Sequence, residues 1–133
     1  MDQNAFDERV AGHLSGMPGK IRMDPEFKER WLAALRSGDY AQGKGYLKTE
    51  DGVGCFHCCL GVAAEVSGVG HGVSYANSAG EQVYEFLFEE FEDASEPPGW
   101  WQNIHPDHKD FLMEVNDAGA SFAQIADFIE EHL

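Results

Sequence analysis

Basic side chains are almost absent from the second part of this sequence. Residues 49–133 contain one, Lys109, together with 17 of the chain's 24 acidic residues, whereas residues 1–48 hold the other eight of its nine bases. The formal net charge of the whole chain is −15. Because phosphate backbones and anionic membrane surfaces repel such a charge, direct binding to nucleic acid or to a membrane is disfavoured, and a basic protein is the expected partner.

Long apolar runs and a disulfide framework are also missing. No stretch approaches the ~18 consecutive apolar residues that a membrane-spanning helix needs. Residues 1–20 lack the basic start and the apolar middle of a signal peptide. The three cysteines lie between residues 55 and 59, too close together for an ordinary set of disulfides, so a reducing cytoplasm is the expected compartment.

The residues that are present predict an α+β fold with four or five short helices packed around a small β-hairpin in a single compact domain. A length of 133 residues suits one domain. Glycines and a proline interrupt residues 1–22, which we expect to form a flexible N-terminal lead-in to a globular domain at 23–133.

The pattern of caps, apolar periodicity and turn residues predicts six segments. In chain order these are a helix from Pro25 that Gly38 ends, a β-hairpin over 46–56, a helix over 59–66, a glycine-rich loop over 67–80, a helix over 81–96, and two helices separated by a turn over 106–133. Ser121 and Gln124 have the spacing of a capping box at the start of the last helix. This helix–turn–helix does not suit DNA reading, because its exposed positions carry acids instead of arginine, lysine or glutamine.

Acidic residues recur along one side of the predicted helix 81–96, and the segment contains no base. Like charges one turn apart destabilise a helix by a few tenths of a kcal/mol per pair. The row is either a solvated face or an interface whose repulsion a basic partner relieves, and the two tryptophans that follow it are either core rings or interface anchors. The candidate partner-binding residues are Glu81, Glu85, Glu89, Glu92, Asp93, Glu96, Trp100 and Trp101.

A zinc site is one interpretation of the cysteine cluster at residues 55–59. Structural zinc takes four ligands, usually as two short-spaced pairs that the fold brings together. The candidate set is Cys55 and Cys58 with His105 and His108, although this spacing matches no standard zinc pattern.

Two other interpretations of the cysteines are open. A cysteine nucleophile would need a positive neighbourhood to lower its pKa, and this half of the chain is strongly negative. We favour the interpretation that the cysteines are small buried residues filling the corner where the hairpin meets the next helix, where Gly61 permits close backbone approach. The expectation is therefore no cofactor, with zinc as the alternative.

A polar corner follows the first predicted helix. Arg36, Tyr40, Gln42 and Lys44 lie in the segment ALRSGDYAQGKG, where a helix end followed by glycines can form an anion-binding corner for a small ligand. The alternative, which we favour, is that Arg36 and Gln42 hold the loop by hydrogen bonds.

Three segments in order, RWLAALRSGDYAQGKGYL, CCLGVAAEV and VNDAGASFAQIADFIEEHL, resemble a family of small uncharacterised proteins of tailed phages and prophages. The resemblance covers roughly residues 23–133 and has no clear alignment over 68–106. It implies a phage-type accessory protein that acts in the host cytoplasm, and it supplies no activity or catalytic residues.

Together these observations favour a non-enzymatic function. The first hypothesis is a small acidic protein that binds and inhibits or redirects a host or defence protein through a carboxylate-rich surface, or as a mimic of nucleic acid. The second is a protein that binds or sequesters a small ligand beside Arg36, Lys44 and the tryptophans. The third is a zinc- or thiol-dependent enzyme.

Overall fold

The structure is a computed structural model, and it describes residues 1–16, 23–52, 54–67, 73–85 and 104–133. Within these residues the chain forms five α-helices and a small mixed sheet of five strands, which confirms the predicted α+β class. The elements are α1 (Gln3–Ser15), α2 (Pro25–Arg36), β1 (Ala41–Gln42), β2 (Lys48–Glu50), β3 (Cys55–His57), α3 (Cys59–Ser67), β4 (Val73–Ala76), β5 (Gln82–Glu85), α4 (Pro106–Asp117) and α5 (Phe122–His132).

Helix α2 begins and packs as its sequence predicts. The Asp24 side chain accepts a hydrogen bond from the Phe27 backbone N–H at 2.9 Å, and Pro25 occupies the first helical position. Trp31 is fully buried, and its indole Nε1 donates to the Cys59 carbonyl of α3 at 2.9 Å. The hydrogen bond satisfies the one polar atom of a large ring that otherwise fills the core between α2 and α3.

The C-terminal pair of helices is also confirmed. Ser121 and Gln124 form both bonds of the predicted capping box at the start of α5. The apolar face of α5 then packs against α2 and α4, and Gly119 takes a φ of 105° in the turn before it. These two helices and α2 surround most of the hydrophobic core.

The predicted β-hairpin is β2 and β3, which pair antiparallel with Thr49 opposite Phe56. It lies inside a larger sheet of order β1-β3-β2-β5-β4, in which β1 runs parallel to β3 and the other neighbours are antiparallel. Strands β1, β4 and β5 were not predicted from the sequence.

The prediction of a helix over 81–96 is wrong at its start, because Gln82–Glu85 is strand β5. The fully buried Val83 pairs with Thr49 of β2 on one side and Tyr75 of β4 on the other. The apolar and aromatic residues that suggested a helical stripe also suit a strand, and hydrogen bonding to β2 decides between the two. Residues 86–96 lie outside the described part of the chain.

Part of the predicted glycine-rich loop is strand β4, Val73–Ala76, so that prediction is wrong at this point. Asn77 makes the turn to β5, since its side-chain Oδ1 accepts from the backbone N–H groups of Ala79 and Glu81. Gly80, with a φ of 79°, completes the turn.

The N-terminal segment is helical where the sequence analysis expected a lead-in without regular structure. Residues 3–15 form α1 despite Gly12, and Phe6 is buried in the main core. The burial of Phe6 against the rest of the chain stabilises a helix whose own sequence pattern is weakly amphipathic.

Candidate functional site

An open groove lies between α1 and α4. Its cavity volume is about 360 Å³. The residues that line it are Arg9 and His13 of α1 and Asp107, Asp110, Phe111 and Glu114 of α4.

Three carboxylates form the α4 wall of this groove. Asp107, Asp110 and Glu114 are exposed and follow one another at three and four positions, so they share one face of the helix. The opposite face carries core residues such as Leu112 and Asn116. His105 caps the start of α4, with its ring Nδ1 accepting from the Asp107 backbone N–H at 3.1 Å.

The α1 wall supplies one permanent positive charge, that of Arg9. The Arg9 guanidinium lies 3.5 Å from the Glu114 carboxylate, and both side chains are largely exposed, so the pair contributes less than ~1 kcal/mol. His13 lies flat on Phe111, with ring centroids 4.2 Å apart. Burial lowers the pKa of His13 below its ordinary value, which keeps the imidazole neutral near pH 7. The groove therefore has a net negative charge at neutral pH.

The three cysteines differ in their burial. Cys58 and Cys59 are buried, as the sequence analysis favoured, whereas Cys55 is exposed, so the prediction that it fills the core is wrong. Burial raises the pKa of Cys58 to about 11 and that of Cys59 well above the ordinary value. Neither thiol is activated as a nucleophile.

The proposed zinc ligands are not brought together. Within the described residues, no three or more histidine, cysteine, aspartate or glutamate side chains are grouped so as to hold a metal ion. Cys55 lies on β3, next to Lys48 and Glu50 of β2, whereas His105 and His108 lie at the start of α4 beside His13. The fold therefore separates the two pairs that the zinc interpretation needs.

Thiol reactivity should report this division between one exposed and two buried cysteines. We expect a thiol reagent such as DTNB at pH 8 to modify Cys55 within minutes and to modify Cys58 and Cys59 only in denaturant, because both are buried and carry raised pKa values. The number of reactive thiols per chain is counted in native and in denatured protein. Cys55→Ser is the control, because it removes the thiol that reacts quickly. Three fast equivalents in the native protein would contradict the structure.

The polar corner after α2 is occupied by internal bonds. Arg36 pairs with Asp127 and Glu130 of α5, each at 2.9 Å, and Lys44 is exposed. Tyr40 stands edge-on to His57 at 5.1 Å. Arg36 therefore ties α2 to α5, whereas the alternative to a ligand site predicted that it holds the loop.

Gln42 belongs to a buried hydrogen-bond network centred on Asn116. The Gln42 amide donates to Asn116 Oδ1 at 3.0 Å and to the Ala120 carbonyl at 2.6 Å, and it accepts from the Phe122 backbone N–H at 3.1 Å. Asn116 is fully buried, and no pattern in the sequence indicated its central place in this network.

A second polar cluster lies where the sheet meets α3. His57 Nε2 is 3.2 Å from the Glu65 carboxylate, and Lys48 Nζ lies 3.8 Å from the same carboxylate. His57 and Lys48 are directly opposite one another on β3 and β2, so they share one face of the sheet. The sequence offered no signal for this cluster beyond the presence of His57 in the cysteine-rich segment.

The predicted acidic row over 81–96 does not form a helical surface at its beginning. Glu81 lies in the turn and accepts from the Asn77 side chain at 3.1 Å, while Glu85 ends β5. Glu89, Glu92, Asp93, Glu96, Trp100 and Trp101 lie outside the described residues.

The geometry so far defines a small α+β domain with an acidic groove. The chain belongs to the family described as a domain of unknown function, DUF8296, whose model matches residues 23–133. Helix α1, which forms one wall of the groove, precedes the matched region. Comparison with curated proteins finds no match, and comparison with solved structures finds none. In the described segments no helix combines the length and apolar character needed to cross a bilayer.

Proposed function

We propose that this protein is a binding module that engages a basic partner protein through the acidic groove between α1 and α4. The observation that supports the proposal is the alignment of Asp107, Asp110 and Glu114 along one wall of an open groove. Only one of the three carboxylates, that of Glu114, has an arginine beside it in the groove.

The groove suits a lysine or arginine side chain of the partner. Its carboxylates provide charge complementarity for the cationic group at the rim. The excess of acids over residues 49–133 extends the negative potential beyond the groove and would accelerate encounter with a basic surface.

We further propose that the protein is a phage-type accessory protein in the host cytoplasm, where it inhibits or redirects a host or defence protein. Its support is the resemblance of the three sequence segments together with the charge. The small-ligand alternative loses support because Arg36 is engaged with Asp127 and Glu130. A zinc- or thiol-dependent reaction loses support because the candidate ligands lie apart and the buried thiols have raised pKa values.

A charge-matched pair of variants tests the groove. The groove variant is Asp107→Asn, Asp110→Asn and Glu114→Gln, and the control variant is Glu26→Gln, Glu29→Gln and Asp39→Asn, three exposed acids on or just after α2. Both lose three negative charges, so a difference between them reports position and not total charge.

We expect the groove variant to bind a fluorescent octa-arginine peptide at least fivefold more weakly than the unmodified protein in 50 mM salt, and the control variant to change affinity less than twofold. Binding of the unmodified protein should weaken steeply at 300 mM salt, because exposed charges are then screened. Fluorescence anisotropy measures both effects. Equal losses in the two variants would overturn the groove as the site. If only the groove variant loses affinity, pull-down with both variants from host lysate identifies the partners specific to the groove.

A further inference from the structure

Four of the chain's six histidines gather at the junction of α1, α4 and α5. His13 Nε2 and His108 Nδ1 are 2.8 Å apart, and the His105 ring lies 6.1 Å from that of His108, centroid to centroid. His132 packs on Phe128 at 5.3 Å, and Phe128 in turn contacts His108 at 5.9 Å. The proposed function makes no use of this group.

The contact between His13 and His108 requires at least one uncharged ring. In a hydrogen bond between two imidazoles, one nitrogen donates its proton and the other accepts with a lone pair. When both rings are protonated, two N–H groups and two positive charges face one another at 2.8 Å. His108 is 3% exposed, so water cannot relieve that repulsion while the helices stay together.

The surroundings of the pair contain both signs of charge. Burial lowers the pKa of His108 to about 4 and lowers that of His13, and the neighbouring rings of His105 and His132 act in the same direction on both. Asp107 opposes this for both rings and Glu114 for His13. Asp110 and Arg9 line the same groove.

These lowered pKa values determine how the stability of the fold changes with pH. A histidine that is harder to protonate in the folded chain than in the unfolded chain stabilises the fold at high pH. That contribution is fully present above the ordinary value of 6.5 and is lost as the pH falls towards about 4.

His13 is also the main polar attachment of the second half of α1. At its beginning the helix is held by the buried Phe6 and by Gln124, whose side chain donates to the Met1 carbonyl at 2.9 Å. Beyond Phe6 the described polar contacts to the rest of the chain are the exposed Arg9–Glu114 pair and His13 itself. Val10 and Leu14 of the same half are only partly buried against the core. Loss of the His13 contact should therefore loosen the end of the helix before its start.

We propose that the His13–His108 pair is a proton-sensitive latch, in which protonation of the rings at acidic pH releases the second half of α1 from α4. Release removes the α1 wall from the groove. The latch does not depend on whether the groove binds a basic protein.

Amide hydrogen exchange tests the latch. Protection factors of residues 9–15, corrected for the intrinsic rate, should fall at least tenfold from pH 7 to pH 5, while those of α2 change less than twofold. In His13→Gln, where an amide replaces the titrating ring, this response should shrink to less than threefold. In His105→Asn, which keeps a side-chain acceptor at the cap of α4 and removes a titrating ring outside the pair, the response should remain.

Ring NMR signals of the unmodified protein provide a measurement that needs no variant. The His13 and His108 rings of the folded protein should titrate below the ordinary value of 6.5. Helix α1 should begin to lose protection at a higher pH than the folded rings titrate, because the released rings bind protons more readily. Constant protection of α1 down to pH 5, or titration of both folded rings at the ordinary value, would overturn the proposal. An undiminished response in a folded His13→Gln protein would do so as well.

Discussion

Substitution of Gly61 by alanine should prevent stable folding. Gly61 lies in the first turns of α3, and a Cβ atom built on it would occupy the position of the Leu47 carbonyl oxygen. Leu47 cannot move aside easily, because its carbonyl accepts from the Cys58 backbone N–H at 3.2 Å and its own N–H donates to Tyr84. We expect a loss of unfolding free energy of about 4 kcal/mol or more, at the severe end of single substitutions, visible as insoluble or molten protein.

Gly12→Ala is the matched control for this prediction. Gly12 is also a helical glycine, and nothing lies within 4 Å of the Cβ that would be added. Alanine there should raise the unfolding free energy by roughly 0.5–1 kcal/mol, since it reduces the freedom of the unfolded chain. Urea denaturation followed by circular dichroism compares the two variants, and a Gly61→Ala protein as stable as Gly12→Ala would show that α3 does not approach β2 as closely as described.

Removal of the Asn116 side chain should cost about 3 kcal/mol of unfolding free energy. Its Oδ1 accepts from Gln42 and from the Cys59 backbone N–H at 3.2 Å, and its Nδ2 donates to the Gly43 carbonyl at 2.8 Å. Asn116→Ala leaves the Cys59 N–H and the Gly43 carbonyl without this partner in the interior. Each such buried polar group costs roughly 1–3 kcal/mol.

Two further asparagine variants sharpen the test. Asn4 is exposed on α1, so Asn4→Ala should change stability by less than ~0.5 kcal/mol. Asn116→Asp keeps an acceptor but cannot donate to Gly43, so it should be destabilising as well, most strongly at neutral pH, where the buried carboxylate is charged. Urea midpoints measure all three, and an Asn116→Ala midpoint close to that of Asn4→Ala would refute a central role for this network.

These two positions explain why segments far apart in sequence behave as a unit. Gly61 joins the hairpin to α3, and Asn116 joins α4 to β1 and to the first turn of α3. Both lie within the residues that the family model matches, Gly61 in the segment CCLGVAAEV and Asn116 in VNDAGASFAQIADFIEEHL. In this structure the residues of those segments that matter most hold the backbone together and do not line the groove.

Interactions between residues close together in the sequence were sufficient to predict several helices and turns. The capped start of α2, the capping box of α5 and the turn between β2 and β3 depend on residues a few positions apart, so their spacing could be recognised directly. The burial of Cys58 and Cys59 and the close approach at Gly61 followed from residue size and polarity. The uneven charge is a property of composition alone and holds whatever the fold.

The remaining features of the fold depend on contacts between residues that are far apart in the sequence. Whether Gln82–Glu85 is helix or strand depends on pairing with β2, because a short apolar and aromatic segment satisfies both periodicities. His13 and His108 are 95 positions apart in the sequence, and Gln42 and Asn116 are 74 positions apart. No local sequence pattern therefore predicts either contact. The sequence by itself determined the negative charge and the amphipathic helices; only the tertiary structure decided which carboxylates share a groove, because burial and hydrogen bonding across the chain set the orientation of each helix.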